Sequence, residues 1–158
     1  MRKFSTEVEE EKSSEKDSMD LAALLAAPPP QPELRLTGIY GDVTEEKCSE
    51  AVYGLLAYHH TGQKLVPEDP SDPESALLQT YEPIDFIVST HGGHASEMFA
   101  VYDAMRSIRD RTPVHTMGLG KVMSAGVLLL AAGTKGQRKI GSTCRVMIHG
   151  VMAGQQGY

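Results

Sequence analysis

The sequence predicts an α/β fold built on a parallel sheet, and two observations carry that prediction. From residue 84 onward, strand, helix, strand, helix and strand patterns follow one another, which is the order of a parallel sheet joined by right-handed crossovers. Three of those strands run directly into turns bearing glycine, serine or histidine, the arrangement that gathers reactive groups at the carboxyl ends of parallel strands.

The elements follow in order. Residues 1–33 differ from the rest. Glu7 to Asp20 is dense in Glu, Ser and Lys and buries too little apolar surface to offset its ordering entropy. Asp20 caps a short helix to Ala27, with Leu21, Leu24 and Leu25 on one face, and Pro28-Pro29-Pro30 stops it. This segment is expected to be an N-terminal tail, and residues 34–158 the folded domain. Leu34 to Tyr40 reads as a strand and Gly41-Asp42 as a turn. Thr44 caps a helix to about His60 that buries Val52, Leu55 and Leu56, with Glu45 and Glu46 favourably placed in its first turn. Thr61 to Pro83, rich in proline and acid, reads as a long loop or insertion.

Ile84 to Ser89 is a β-branched strand that leads into His91-Gly92-Gly93-His94. Met98, Val101, Tyr102, Met105 and Ile108 recur at helical spacing until Pro113. Val114 to Met117 is the next strand. Gly118, Gly120 and Gly126 surround Ser124, an apolar helix runs from Val127 to Ala132, and Gly133 is its expected C-cap. Cys144 to Ile148 is a third strand, ending at His149.

Composition narrows the function. A chain of 158 residues fits one ordinary domain, and its net charge of -6 argues against a nucleic-acid partner. No apolar run approaches the roughly 18 to 20 residues that cross a bilayer, so no membrane partner is expected. The N-terminus lacks the apolar stretch of a secretory signal. Cys48 and Cys144 lack metal-like spacing and point to a reducing compartment, so a cytoplasmic location is expected.

The chemistry concentrates in three turns. A serine hydroxyl is a poor nucleophile until a base accepts its proton, and histidine titrates near neutrality. Ser124 stands where a strand-following turn gives way to a helix, with free N–H groups facing a developing oxyanion; Ala125 and Gly93 are the candidate donors. Taken alone, Ser124 also reads as a helix N-cap and His149 as a structural residue.

Read together, residues 84–158 resemble the proteolytic subunit of the Clp protease, a serine peptidase family of stacked rings. Ile87-Val88-Ser89-Thr90-His91-Gly92-Gly93 is similar to that family's Ile-Asn-Ser-Pro-Gly-Gly loop. Tyr102-Asp103-Ala104-Met105 resembles its Ile-Tyr-Asp-Thr-Met helix, and Gly120 to Gly126 its Gly-Gln-Ala-Ala-Ser-Met-Gly nucleophile turn. Leu128 to Arg138 is close to the helix and turn that follow, and Arg145 to His149 to its Arg-Ile-Met-Ile-His segment. The 25 positions between Ser124 and His149 are the family's spacing.

The resemblance implies a ClpP/crotonase-like superhelix of repeated β-β-α units, here truncated at its C-terminus. It implies Ser124 as nucleophile, His149 as general base and Gly93 and Ala125 as the oxyanion hole. Substrate would lie along Gly92, Gly150, Met152 and Gly154, aligned by backbone pairing. It also implies heptameric rings, unfolded protein or peptide substrates, and a Clp-type AAA+ unfoldase. That partner would use the ATP, because Gly118-x-Gly120-Lys121 lacks the spacing of a phosphate loop and no cofactor is expected in this chain.

Departures from the family pattern are local. His91 replaces a proline and His94 follows the glycine pair, but two histidines without a third ligand predict no metal site. Lys121, Val122 and Ala125 replace Gln, Ala and Met, and the last change keeps the backbone N–H. The insertion near 62–82 has no counterpart. No residue after His149 is acidic, whereas the family's catalytic aspartate lies beyond the histidine; the chain is expected to be a fragment or a nearly inactive short form. Three readings follow: a serine endopeptidase subunit of a Clp-like ATP-dependent protease, a non-catalytic subunit of a mixed ring, and a crotonase-like acyl-CoA enzyme in which Ser124 is dispensable.

Overall fold

The structure is a computed structural model and describes residues 33–150. The expected tail of residues 1–33 lies outside the described residues except for Glu33, as do Met152 and Gly154. One compact unit begins at Arg35.

Its centre is a parallel sheet. β1 (Leu36–Tyr40) pairs with β4 (Ile84–Thr90), and β4 with the long β5 (Val114–Met123). The far side of β5 takes β6 (Arg138–Ile140) along its first half and β7 (Arg145–Met147) along its last three residues. Helices α1 (Glu45–Thr61), α2 (Ala95–Ile108) and α3 (Ala125–Ala132) supply the crossover layer.

Burial alternates along the strands, as period-two geometry requires. Ile84, Phe86 and Val88 are fully buried, while Asp85 is exposed and Ile87 half-buried. Val114 and Thr116 are buried, while Met117 and Leu119 are exposed. The inner face packs with Val101, Met105 and Ile108 of α2, Leu129 of α3, and Ala51 and Leu55 of α1 in one core. The outer face stays open and carries Leu36, Tyr40, Ile87 and Met117.

Several expectations need correction. The segment 61–83 is not a long loop. It forms an antiparallel hairpin of β2 (Gln63–Pro67) and β3 (Leu77–Tyr81), because Leu65-Val66 and Leu77-Leu78 flank the proline- and acid-rich tip with strand-forming residues. In α1 the buried stripe is Cys48, Ala51, Leu55 and His59; Leu56 lies off it and is exposed. Thr44 sits at the N-cap position without a side-chain cap bond. Gly133 is extended rather than left-handed, and its role is steric, since a Cβ there would press on the Thr116 side chain. β5 runs six residues beyond Met117, the expected end, to Met123, and β6 was not expected at all.

Two polar clusters tie the hairpin root to the domain. The buried Arg35 guanidinium bonds the carbonyls of Tyr58 and Pro83 and the Thr61 hydroxyl, and it lies near Glu82, which also pairs with Lys64. His59 Nδ1 lies 2.7 Å from Thr112 Oγ1, its ring stacks on Tyr81 at 5.0 Å, and the Arg111 guanidinium covers Tyr81.

Burial pushes the His59 imidazole below the ordinary histidine value, and Arg111 and His60 push it the same way. The unfolded chain therefore binds this proton more readily than the folded one. The contribution is fully present above about pH 6.5 and is lost as pH falls through the unfolded and then the folded value. We expect Tm to drop between pH 7.5 and pH 5, with His59→Gln flattening part of that slope. An identical slope in the variant, read by circular dichroism, would contradict the assignment.

Candidate active site

β4 ends at the buried Thr90, and the chain turns through His91-Gly92-Gly93. Thr90 Oγ1 accepts the Gly92 N–H at 2.9 Å. On the other side Val43 clamps the turn: its N–H donates to Gly92 O at 2.9 Å and its carbonyl accepts the His94 N–H at 3.1 Å. This parallel bridge leaves the N–H of Gly93 without a backbone partner among the described residues.

The glycine pair is required by space. Gly92 has φ 107°, and a Cβ there would stand 2.7 Å from Ser124 Cβ and 3.2 Å from Ser124 Oγ. At Gly93, with φ 152°, a Cβ would meet the Val43 backbone, its nitrogen at 2.9 Å. Only glycine at these positions lets the loop approach both Val43 and the serine.

Ser124 is the single residue between β5 and α3. Its φ of 52° and ψ of -122° make it the one non-glycine residue with positive φ among those described. Such a conformation costs of order 1–3 kcal/mol and persists where neighbours over-determine it. Here the Ser124 N–H donates to Met147 O at 2.9 Å and its carbonyl accepts the Val127 N–H at 3.0 Å. Gly126 brings the start of α3 onto the Thr90 methyl and within 3.4 Å of Val88 Cγ1, as measured from a Cβ it does not carry. Ser124 Oγ makes no cap bond, so the hydroxyl is not consumed by the helix. The N–H of Ala125, first in α3, has no intrahelical acceptor.

His149 reaches the same end of the sheet through register. Met123 pairs with Met147, so Ser124 lies one residue past this pair and His149 two. His149 is exposed, and its Nδ1 is 2.5 Å from Gly150 O. A carbonyl only accepts, so in this contact Nδ1 is the donor. No hydrogen bond joins Ser124 and His149 among the described residues, and no carboxylate among them bonds His149.

The structure thus packs Gly92 against Ser124, with Gly93 and Ala125 as their chain neighbours, and brings His149 to the same end of the sheet by register, without a hydrogen bond to Ser124. Thr90 and Val43, which hold the glycine turn, were not singled out from sequence; the available signal was a polar β-branched residue directly before Gly-Gly. His91 and His94 are exposed, and among the described residues no three His, Cys, Asp or Glu side chains form a metal-holding group. Cys48 and Cys144 are free thiols, and burial followed by Glu97 raises the Cys48 thiol above its ordinary value. No helix among those residues is long and apolar enough to cross a membrane.

A sequence model of the Clp protease family matches residues 76–158, more than half of the chain and inclusive of every residue of this site from Gly92 on. The chain belongs to the Clp protease family. Proteolytic subunit 1 of the ATP-dependent Clp protease of Nocardia farcinica is 40% identical over 74 residues, which are 47% of this chain and 36% of that protein. The chain therefore spans about a third of the length of this curated relative. The crystal structure of the ClpP protease catalytic domain from Plasmodium falciparum matches with a TM-score of 0.58 at 23% identity, covering 73% of this chain and 55% of that one. That likeness carries the fold: the expected ClpP-like α/β class with a parallel sheet is the one observed.

Two substitutions test the geometry of this family member. Gly92→Ala is expected to lower Tm, because its Cβ at φ 107° would crowd the Ser124 side chain, and an unchanged melt would contradict that close packing. Ser124→Gly is expected to be more stable than Ser124→Ala by about 1 kcal/mol, since glycine relieves the positive φ and alanine does not. Equal melting temperatures for these two would rule out strain at this residue.

Proposed function

We propose that this chain carries the nucleophile and base of a Clp-type serine endopeptidase subunit. The observation that carries the reading is Ser124 itself: an uncapped hydroxyl on a strained one-residue turn, packed against Gly92 and flanked by the N–H groups of Gly93 and Ala125, which have no backbone partner among the described residues. A structural N-cap has no need of positive φ and would spend its hydroxyl on the helix.

In the proposed reaction Ser124 Oγ attacks a peptide carbonyl carbon and His149 Nε2 takes its proton. The carbonyl oxygen becomes an oxyanion held by the Gly93 and Ala125 N–H groups, each worth roughly 3 to 4 kcal/mol in the transition state. His149 then protonates the leaving amine, and water, deprotonated by the same imidazole, hydrolyses the acyl-serine. Peptide substrate would pass along Gly92 and Gly150, with Met152 and Gly154 continuing that path. The chemistry draws on protein groups and water, and any ATP would be used by a partnering Clp-type AAA+ unfoldase. The open outer face of the sheet, where Tyr40 and Met117 are exposed, supports self-association into rings.

A second reading is a non-catalytic subunit of a mixed ring, favoured by the absence of a Ser124–His149 hydrogen bond among the described residues. Without an orienting carboxylate the pair would lose on the order of four powers of ten in turnover. Intact mass before and after a fluorophosphonate separates the two readings. One adduct that Ser124→Ala removes is the expected result; an unmodified chain under conditions that label a control serine peptidase would establish the non-catalytic subunit instead.

A further inference from the structure

Beyond its root, the β2–β3 hairpin is a finger with exposed apolar side chains. Leu65 is 66% exposed and Leu77 59%, and two exposed strands alone are marginal in water. From residue 65 to residue 82 the finger carries Glu68, Asp69, Asp72, Glu74 and Glu82 and no basic residue. Glu82 is engaged at the root by Arg35 and Lys64, which leaves four carboxylates at the tip.

The tip is internally organised. Asp69 Oδ1 accepts the Ser71 N–H at 2.9 Å and its hydroxyl at 2.6 Å, and Asp72 Oδ1 accepts the Glu74 N–H at 3.0 Å. A tip ordered before it docks loses less entropy on binding. β2 and most of the tip also precede the family match, which begins at residue 76.

A complementary surface lies elsewhere on the same chain. A hollow of about 350 Å³ below the C-terminal end of α3 is lined by Arg109, Lys135 and Arg138, with Asp110 the one acid. Arg109 and Arg138 each bond an α3 carbonyl, Ala132 O at 3.3 Å and Ala131 O at 3.2 Å. These bonds fix the two guanidinium groups at the rim while leaving further N–H donors on each.

The finger cannot fill its own hollow. Its root, where Tyr81 sits under Arg111, is only two residues from Arg109. Five-residue strands carry the tip roughly 17 Å away from that root. We propose that the acidic tip of one copy seats in the Arg109–Lys135–Arg138 hollow of a second copy, with Leu65 and Leu77 covered alongside. Finger and hollow are different surfaces, so the contact is head-to-tail, the type that closes rings. The inference rests on the ring-forming reading and specifies which elements make the contact.

Sedimentation of the 158-residue chain at low and high salt tests it, with two charge-reversed variants: Asp72→Lys with Glu74→Lys, and Lys135→Glu with Arg138→Glu. Each variant alone is expected to associate at least tenfold more weakly than the parent, and an equimolar mixture to regain association. Circular dichroism confirms that both fold. A variant that has lost its fold is replaced by the single changes Glu74→Lys and Lys135→Glu, which touch no α3 cap. Parent-like association of both variants would overturn the finger contact and leave the ring reading standing. A parent chain that stays monomeric at 200 µM on the order of typical weak-contact concentrations would overturn both.

Discussion

Ser124 is the one residue between β5 and α3, and the rest of the site is built around its positive-φ backbone. An ordinary N-cap joins strand to helix from the extended region; here Ser124 takes a positive φ instead, the one non-glycine residue to do so among those described. What holds it is drawn from three parts of the sequence. Met147 in β7 receives its N–H, Gly92 after β4 leaves space for its side chain, and Gly126 lets α3 settle on Thr90. The hydroxyl then stands at the carboxyl end of the parallel strands, where loops converge and where the N–H groups of Gly93 and Ala125, without a backbone partner among the described residues, also lie.

Much of this was legible in the residues. Period-two burial of Ile84, Phe86 and Val88, and the Met98–Val101–Met105–Ile108 stripe, appear in the structure as the sequence pattern implies. The convergence of Gly92 and Ser124 was legible because both stand in turns that directly follow parallel strands. The positive φ was not, because sequence reasoning looks for glycine at such positions and Ser124 is surrounded by glycines that draw the expectation away. The hairpin was obscured by composition: Glu68 to Ser75 dominates the segment, and the strand formers on either side are short. Cys48 and His59, facing the core of α1, were passed over in favour of Leu56, since neither side chain announces burial.

The relation of His149 to Ser124 follows from register, not from contact. Met123 opposite Met147 fixes how far apart the two can be, and His149 Nδ1 is engaged by Gly150 O. In this geometry Gly150 O occupies the hydrogen-bonding position that an orienting carboxylate takes in serine–histidine–aspartate systems. On the proposed ring-forming reading, the exposed apolar groups of the outer sheet face and the opposed charges of the β2–β3 finger and the hollow would be used in contacts between copies.

The most direct measurement of the central claim is a high-resolution crystal structure of the chain after reaction with a fluorophosphonate. The account predicts phosphorus bonded to Ser124 Oγ and a phosphonyl oxygen within hydrogen-bonding distance, about 2.7 to 3.1 Å, of both the Gly93 and Ala125 nitrogens. An adduct whose oxygens avoid both nitrogens, or a Ser124 relaxed to negative φ, would contradict it.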